Sequence, residues 1–174
     1  AAGALSLEDT VRILRESAEG LAQLHRHGVY HQDIKPSNLL WTNAGVRIID
    51  FNVAVDARDA APGGGGTRRY LPPDYDHAGE PDSADRIDRD LYALGITCYE
   101  CLTGRYPFDE PTPPIGAQPK DPKQFKGCGD LSRALVGLVT KAIAPNRQDR
   151  FPSAQALPAA LDTAQRYRSV ISTS

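Results

Sequence analysis

The first strongly periodic segment of the chain has one apolar face. Its apolar residues recur every three or four positions, at Val11, Leu14, Ala18, Leu21 and Leu24. This spacing predicts an amphipathic helix over residues 7–27. Ser6 and Asp9 suit a capping box at its start, and Gly28 suits its end because glycine readily adopts a positive φ.

Later apolar segments predict three more helices. Residues 90–102 are mostly apolar and are followed by Gly104, which predicts a buried central helix. Two amphipathic stretches within residues 131–166 predict the last helices. Between these segments, residues 107–122 are rich in proline and are expected to be irregular.

Strand signals are confined to one short region. Residues 39–41 and 46–49 are apolar runs on either side of a turn signal at residues 43–45, which predicts a β-hairpin. Residues 52–66 are small, charged or glycine, a composition typical of a loop or linker. The whole pattern predicts a mainly α fold with one local hairpin.

The composition is that of an ordinary globular protein. The 174 residues, 40% hydrophobic and 24% charged, suffice for one domain with a core. A net charge of −2 gives no reason to expect nucleic acid or a membrane surface as a partner, and no apolar run approaches the roughly 18 residues of a membrane span. Three cysteines cannot all pair, which favours a reducing, cytoplasmic location. The 15 arginines against five lysines, with much alanine, indicate a bacterial source.

Thirteen residues carry the candidate chemistry. Residues 31–40 (His-Gln-Asp-Ile-Lys-Pro-Ser-Asn-Leu-Leu) precede the predicted turn, and residues 49–51 (Ile-Asp-Phe) follow it. Residues 31–38 are expected to form a loop, because a helix cannot continue through Lys35 and Pro36. The segment carries an aspartate, a lysine, an asparagine and a second aspartate within 18 residues, at positions 33, 35, 38 and 50.

Four further elements follow in order along the chain. They are Gly-Thr-Arg-Arg-Tyr-Leu-Pro-Pro-Asp at 66–74, Asp-Leu-Tyr-Ala-Leu-Gly at 90–95, Leu-Thr-Gly-Arg-Tyr-Pro-Phe at 102–108, and Ala-Pro through Arg-Phe-Pro-Ser at 144–153. With the first segment, they resemble the eukaryotic-type serine/threonine protein kinases, in which 31–38 would be the catalytic loop and 50–74 the metal-binding and activation segment. The resemblance implies that residues 1–174 form the large C-terminal lobe of such a kinase.

The resemblance implies catalytic and nucleotide-binding roles for five residues. Asp33 would orient the substrate hydroxyl and accept its proton, and Lys35 would bring its charge to the transferred phosphate. Asn38, the third catalytic residue, and Asp50 would hold Mg²⁺, because amide and carboxylate oxygens are ligands that suit this ion. Leu40 would pack under the adenine ring, so that Lys35, Leu40 and Asp50 together would bind ATP. The implied reaction transfers the γ-phosphate of ATP to a hydroxyl of a protein substrate.

Other residues of the resemblance would dock the substrate or hold the loops in place. Thr67 and Tyr70 would belong to the substrate-docking loop. Four residues are expected to be structural: His31, Asp74, Asp90 and Arg150. Asp90 would hold the backbone of the catalytic loop from the central helix, and Arg150 would pair with Asp74 to clamp the docking loop.

Two departures from the family pattern lie near the catalytic and metal-binding loops. Gln32 stands where many of these kinases have an arginine that receives a phosphate from the activation loop, and residues 52–66 contain no serine, threonine or tyrosine. We therefore expect no switching by phosphorylation within that stretch. Asn52 replaces a glycine, which would permit a positive φ, and asparagine is among the next most tolerant residues.

The largest departure concerns the residues before the catalytic loop. No Gly-x-Gly-x-x-Gly, no Val-Ala-x-Lys and no lysine at all occurs before Lys35. The small N-terminal lobe, which covers ATP, is therefore expected to be absent, and the chain alone is expected to be nearly inactive. The inter-lobe face around Leu39, Leu40, Phe51 and the first helix would then be open to the missing lobe, to another protein or to self-association.

Two other functions are compatible with parts of this pattern. A catalytically inactive kinase-like module (a pseudokinase) would account for the missing small lobe, but it has no need of a complete set of catalytic residues. A phosphotransferase of the aminoglycoside type shares a His-x-Asp loop, but the docking loop that begins at residues 66–70 is a device for protein substrates. The active kinase lobe is therefore the preferred interpretation.

Overall fold

The computed structural model describes residues 4–52, 54–56, 67–75, 81–125 and 133–171. Within these ranges the chain forms four α-helices: α1 (Leu7–Arg26), α2 (Ser83–Thr103), α3 (Arg133–Ala142) and α4 (Ala156–Ile171). The same ranges contain four short strands: β1 (Val29–Tyr30), β2 (Leu39–Thr42), β3 (Gly45–Ile48) and β4 (Val55–Asp56). Single turns of 3₁₀-helix occur at Pro36–Asn38, Arg68–Tyr70, Pro122–Gln124 and Arg147–Asp149. The prediction of a mainly α fold with a short hairpin is confirmed.

Some sequence predictions fall outside the described residues. Most of the loop predicted at residues 52–66 does so, together with Gly66 of the docking motif, and the middle of the segment 50–74 is therefore not described. Residues 131–132, at the predicted start of the last helices, also lie outside.

Helix α1 begins and ends close to its predicted bounds. The Ser6 hydroxyl accepts the backbone N–H of Asp9 at 3.0 Å, which satisfies one of the free N–H groups of the first turn. Leu14, Ala18 and Leu21 of the predicted apolar face are buried in the core. The helix packs chiefly against α2 and β3.

Helix α2 is the central helix, and it begins at Ser83 rather than at the start of the predicted range 90–102. Its first turns are charged, so an apolar pattern does not reveal them. Asp82 and Asp85 form a capping box, in which each side chain accepts the backbone N–H of the other residue. The helix ends before Gly104, whose φ of +66° closes it in the left-handed conformation.

Two antiparallel strand pairs position the catalytic segment. β2 and β3 form the predicted hairpin, in a register that places Leu39 opposite Ile48. β1 and β4 form a second pair that the sequence analysis did not predict, with Val29 opposite Asp56. Because β1 precedes the catalytic loop and β4 follows Asp50, this pair holds the two ends of the site together.

The last two helices complete the core beside α2. α3 packs against α2 and α4, and α4 also contacts α1. Helix α4 reaches Ile171, further than the predicted end at residue 166. In the part of the chain that the structure describes, no helix combines the length and the hydropathy needed to cross a bilayer.

A close contact at Gly95 gives a test of the α2–α3 packing. A Cβ atom on Gly95 would lie 2.7 Å from Ile143 Cγ2 and 2.8 Å from Ala142 Cβ, closer than real side chains pack. We expect Gly95→Ala to lower the free energy of unfolding by about 1–3 kcal/mol, because the helix contact becomes overpacked. Urea unfolding followed by circular dichroism measures the change.

Gly137 of α3 is the matched control, since a Cβ atom there meets nothing within 4 Å. We expect Gly137→Ala to raise the free energy of unfolding by about 0.5–1 kcal/mol, because alanine loses less entropy than glycine in a helix. Equal effects of the two substitutions would contradict the close approach of α2 and α3.

Candidate active site

The buried carboxylate of Asp90 holds the beginning of the catalytic loop. Its Oδ2 accepts the backbone N–H of His31 at 3.0 Å, and its Oδ1 accepts that of Gln32 at 2.7 Å. His25 Nε2 lies 2.9 Å from the same Oδ2, and Asp90 is only 1% exposed. Helix α2 therefore fixes the backbone of the loop through the residue that the sequence analysis named for this contact.

Gln32 has a structural position that the sequence analysis did not assign to it. Its φ is +66°, a conformation that few residues other than glycine adopt. Its side-chain Nε2 donates to the Arg86 carbonyl at 2.9 Å, and its own carbonyl accepts from Arg89 at 3.0 Å. These hydrogen bonds hold a strained backbone in place, so the buried Gln32 braces the loop from inside.

His31 connects the catalytic loop to the chain that follows the hairpin. Its Nδ1 accepts the backbone N–H of Asp33 at 3.3 Å, so the ring proton lies on Nε2, which donates to the Ile49 carbonyl at 3.0 Å. The buried ring also packs edge-on against Phe51, with 4.9 Å between the ring centroids. His31 therefore fixes the segment carrying Asp50 relative to Asp33.

Asp33, Lys35 and Thr67 form a compact polar cluster. Lys35 Nζ donates to Asp33 Oδ2 at 2.6 Å and to Thr67 Oγ1 at 3.0 Å. The backbone N–H and the hydroxyl of Thr67 both donate to Asp33 Oδ1 at 2.9 Å. Burial alone would raise the pKa of Asp33, but the hydrogen bonds from Lys35 and Thr67 hold this pKa below its usual range. Asp33 is therefore an ionised carboxylate with a fixed orientation.

Asn38 lies beside this cluster at the end of a 3₁₀ turn. Its Nδ2 donates to the Asp33 carbonyl at 2.8 Å and, less closely, to Asp33 Oδ2 at 3.2 Å. Among the described residues, its side-chain oxygen accepts only the Ser37 hydroxyl, at 3.4 Å. Its backbone carbonyl accepts the N–H of Ile49 at 2.9 Å, which places Asn38 next to the residue that precedes Asp50.

Asp50 presents an exposed carboxylate that makes no hydrogen bond or ion pair with any residue the structure describes. Its φ is +65°, in the left-handed region that aspartate enters more readily than most residues. Asn52 does not use the positive φ that glycine at its position would permit. The unusual backbone conformation therefore belongs to the proposed metal ligand itself.

Glu16 of α1 clamps the turn of the β2–β3 hairpin. Its Oε1 pairs with Arg12 at 2.7 Å, and its Oε2 accepts the backbone N–H of Val46 at 2.5 Å. These two hydrogen bonds hold the pKa of Glu16 below its usual range. Gly45 leaves room for the carboxylate, because its φ is +110° and a Cβ atom there would clash with Glu16 Oε2. The hairpin therefore has a defined position on α1.

The docking residues are anchored to the end of α2. The Tyr70 hydroxyl donates to Glu100 Oε2 at 2.5 Å, and Arg69 Nη2 pairs with Glu100 Oε1 at 2.6 Å. Tyr106 donates to the Arg69 carbonyl at 2.7 Å, and its ring lies 4.4 Å from the Arg69 guanidinium. Burial, and then the Glu100 carboxylate, raise the pKa of Tyr70, so its hydroxyl stays protonated and keeps donating.

Arg150 holds Asp74, the last residue of the predicted substrate-docking motif at residues 66–74. Its buried guanidinium pairs with Asp74 at 2.7 Å and with Asp88 of α2 at 2.8 Å. It also donates to the carbonyls of Ala144 and Pro145, at 2.7 and 3.0 Å. Burial raises the pKa of Asp88, although Arg150 opposes this shift. Removing Arg150 would leave the buried Asp88 carboxylate without its ion-pair partner, a loss of about 3–5 kcal/mol, whereas the partly exposed Asp74 would keep the Arg147 N–H.

The apolar residues expected at the inter-lobe face are exposed to different degrees. Leu40 is 49% exposed and Phe51 is 45% exposed, while Leu39 is half-buried. Trp41 and Ile49, beside them in the sequence, are exposed as well. Because successive residues of a strand point to opposite faces, Leu40 and Trp41 expose apolar side chains on the two faces of the hairpin.

Four residues that support the site were missed by the sequence analysis. They are Glu16, His25, Gln32 and Glu100, each of which acts through a partner far away in the sequence. One usable signal was present, because the Asp82-x-x-Asp85 pattern marks the start of a helix. A helix that starts there carries both Asp90 and Glu100.

The oxygen donors at the end of the hairpin fit Mg²⁺. Asn38 offers an amide oxygen with one weak partner, and Asp50 offers an unpaired carboxylate. Mg²⁺ is commonly held by one or two carboxylates, with phosphate and water oxygens completing its octahedron. Among the described residues, no group of three or more His, Cys, Asp and Glu side chains gathers at one point, which is compatible with a site of two protein ligands.

Comparisons with known proteins point to a single family. A family model described as "Protein kinase domain" matches residues 1–160. The chain is 39% identical to "Probable serine/threonine-protein kinase pknA2" of Bifidobacterium longum over 118 residues, which are 65% of this chain and 15% of that protein. It is 32% identical to "Probable serine/threonine-protein kinase PknB" of the same species over 173 residues (87% and 23%). It is 31% identical to "Serine/threonine-protein kinase PknB" of Mycobacterium tuberculosis over 175 residues (91% and 26%).

The chain spans 15–26% of the length of these three relatives. The activity of the complete relatives is therefore not by itself the activity of this chain. All three are bacterial proteins, which agrees with the bacterial source that the arginine-rich composition indicates.

We expect the stability that Asp33 contributes to be lost in acid. Its pKa is lowered in the folded state, so its contribution is fully present above about pH 4, the pKa of an unfolded aspartate. The contribution disappears as the pH falls through the lower, folded-state pKa. Urea unfolding between pH 6 and pH 3 should therefore show a difference between wild type and Asp33→Asn that shrinks as the pH falls.

The control for this experiment is Asp109→Asn, at a carboxylate whose side chain is 87% exposed. Its difference from wild type should change little over the same pH range, because an exposed ion pair contributes little to stability. If the Asp33→Asn difference stayed constant with pH, the hydrogen bonds from Lys35 and Thr67 would not be lowering the pKa of Asp33.

Proposed function

Because the chain belongs to the protein kinase domain family, we propose that it acts as the catalytic large lobe of a serine/threonine protein kinase. Completed by a small lobe, it transfers the γ-phosphate of ATP to a hydroxyl group of a protein substrate. The observation that carries this proposal is the cluster in which Lys35 and Thr67 hold the ionised Asp33 carboxylate in one orientation.

Asp33 is the proposed acceptor of the substrate proton. A carboxylate offers about four lone-pair positions, and here two donors from Thr67, one from Lys35 and one from Asn38 occupy them. The Asn38 contact with Oδ2 is the longest, at 3.2 Å, and Asn38 keeps its 2.8 Å bond to the Asp33 carbonyl when this contact opens. The substrate hydroxyl takes that place on Oδ2 and delivers its proton there.

Lys35 is proposed to hold the transferred phosphate group. An ammonium group has three donors, and the structure accounts for two of them, on Asp33 and on Thr67. The third is available to a phosphate oxygen. A positive charge fixed at this point stabilises the negative charge on the phosphate oxygens during transfer.

Asn38 and Asp50 are proposed to hold Mg²⁺, with Leu40 exposed at the position that would contact adenine. Bound Mg²⁺ neutralises charge on the phosphate oxygens and aligns the group that is transferred. One ligand precedes β2 and the other follows β3, so both lie at the open end of the hairpin, which Glu16 clamps onto α1. The hairpin therefore sets the separation of the two ligands.

Serine and threonine hydroxyls are the proposed acceptors. Lys35, two positions after Asp33, and Thr67 resemble the corresponding residues of serine/threonine-directed kinases, and the relatives reported above carry that name. Cys98 and Cys101 are free cysteines, which supports a reducing, cytoplasmic location for this activity.

A second function, partner binding through the same lobe without catalysis, is favoured by the exposed apolar side chains of Leu40, Ile49 and Phe51. Exposed apolar side chains that lie together commonly mark an interaction surface. The proposed partners at this face are the small lobe of the kinase, another protein or a second copy of the chain. The intact Asp33 cluster favours the kinase lobe over the inactive module.

Calorimetric titration with ATP tests the proposed nucleotide site. We expect binding that requires Mg²⁺ and that Asp50→Ala abolishes, because this substitution removes the unpaired carboxylate from the metal site. Asp109→Ala, which removes an exposed carboxylate from the irregular segment, should leave the binding unchanged. No binding at millimolar ATP, or binding that ignores Mg²⁺, would favour the interaction module over the kinase lobe.

Sedimentation tests the exposed apolar face. We expect the chain to self-associate as its concentration rises, and we expect Leu40→Asn with Phe51→Asn to reduce this association, because the two substitutions remove apolar surface from the contact. Ile115→Asn is the control, since Ile115 is an exposed apolar residue in the separate segment 107–122. A strictly monomeric wild-type profile at high concentration would contradict the prediction.

A further inference from the structure

We propose that the docking segment, residues 67–70, selects protein substrates that carry an acidic side chain close to the phosphorylated hydroxyl, and that Arg68 is the residue that pairs with it. This inference rests on the proposed kinase function and names a class of substrate for the same site.

Arg68 lies immediately beside the reacting position. Its neighbour Thr67 donates both its backbone N–H and its hydroxyl to Asp33 Oδ1, at 2.9 Å each. Successive Cα atoms are about 3.8 Å apart, so the base of the Arg68 side chain is only one residue away from a group that touches the proton acceptor. A substrate whose hydroxyl reaches Asp33 therefore brings its neighbouring residues close to Arg68.

The carboxylate nearest to the docking segment is already occupied. Glu100 Oε1 pairs with Arg69 at 2.6 Å, and Glu100 Oε2 accepts the Tyr70 hydroxyl at 2.5 Å. With both oxygens engaged, Glu100 is poorly placed to attract a basic side chain from a substrate. Glu100 therefore gives the docking segment little attraction for a basic peptide.

The charge on the docking segment that is not paired within the protein is positive. Arg69 is neutralised by Glu100, and Lys35 is neutralised by Asp33. Arg68 is exposed, and its guanidinium forms no ion pair or hydrogen bond with any residue that the structure describes. A free guanidinium favours carboxylate groups, because its planar set of donors can bind both oxygens at once.

Titration of the ¹⁵N-labelled chain with short peptides, followed by NMR, tests this inference. Three seven-residue peptides with a central serine are compared, in which the flanking residues are glutamate, alanine or lysine. We expect the glutamate peptide to shift the backbone amides of residues 67–70 and to bind about two- to five-fold more tightly than the alanine peptide, the range that an exposed ion pair gives. The lysine peptide should bind most weakly, and added salt should reduce these differences.

Substitutions of Arg68 test whether its side chain causes the preference for the glutamate peptide. Arg68→Gln should bring the affinity for the glutamate peptide down to that for the alanine peptide, whereas Arg68→Lys should keep part of the preference because it keeps the charge. Arg133→Gln is the matched control, since Arg133 is an exposed arginine at the start of α3. Because it removes the same charge elsewhere on the lobe, it should leave the preference unchanged.

Three results would overturn the inference: equal affinity for the three peptides, a preference for glutamate that survives Arg68→Gln, or no shift of residues 67–70 with any peptide. The calorimetric titration with ATP separates these results from failure of the proposed function. Mg²⁺-dependent ATP binding without peptide selectivity would support the kinase proposal but contradict the proposed preference for acidic substrates. Peptide selectivity without ATP binding would support the docking of acidic peptides at Arg68 and count against the kinase function.

Discussion

The site depends on one buried carboxylate, that of Asp90, and on the donors that satisfy it. Two backbone N–H groups, from His31 and Gln32, share the carboxylate with His25 Nε2 and with the Gln32 side chain. A carboxylate buried to this extent is stable only when such donors surround it, so the loop and the helix need each other. The same bonds hold the positive φ of Gln32, which would otherwise relax. The catalytic loop is thus held in shape by α2 as well as by its own side chains.

A second constraint fixes the two proposed metal ligands relative to each other. The hairpin between Asn38 and Asp50 is short, and its ends are joined by the hydrogen bond from the N–H of Ile49 to the carbonyl of Asn38. His31 holds the same residue through its carbonyl. Because both the N–H and the carbonyl of Ile49 are hydrogen-bonded, the backbone is fixed where it enters Asp50. Asp50 itself has a left-handed backbone conformation and is exposed to solvent.

The sequence could predict the residues of the site but not most of the contacts that hold them. Ordered motifs placed Asp33, Lys35 and Thr67 in one family pattern, and local periodicity placed α1 and the hairpin. The start of α2 was missed because its first turns are charged, and the β1–β4 pair was missed because two-residue strands leave no periodic signal. No local sequence pattern indicates the roles of Glu16 and Gln32, because their hydrogen-bond partners lie 30 and 54 residues away along the chain. Gln32, which the sequence analysis weighed only as a lost phosphate receptor, is in the structure a buried brace.

Helix α2 holds both the catalytic loop and the docking segment, and these two segments also contact each other. Asp90 near its middle holds the catalytic loop, and Glu100, ten residues or about 15 Å further along the helix, holds Tyr70 of the docking segment. Thr67 then returns from the docking segment to Asp33, the proposed proton acceptor, so the hydrogen bond between them joins the two segments that the carboxylates of α2 hold. One helix therefore sets the distance between the docking segment and the catalytic loop of the proposed site. In the proposed reaction, side chains at the end of α2 therefore influence which substrates reach Asp33, even though they touch no reacting atom.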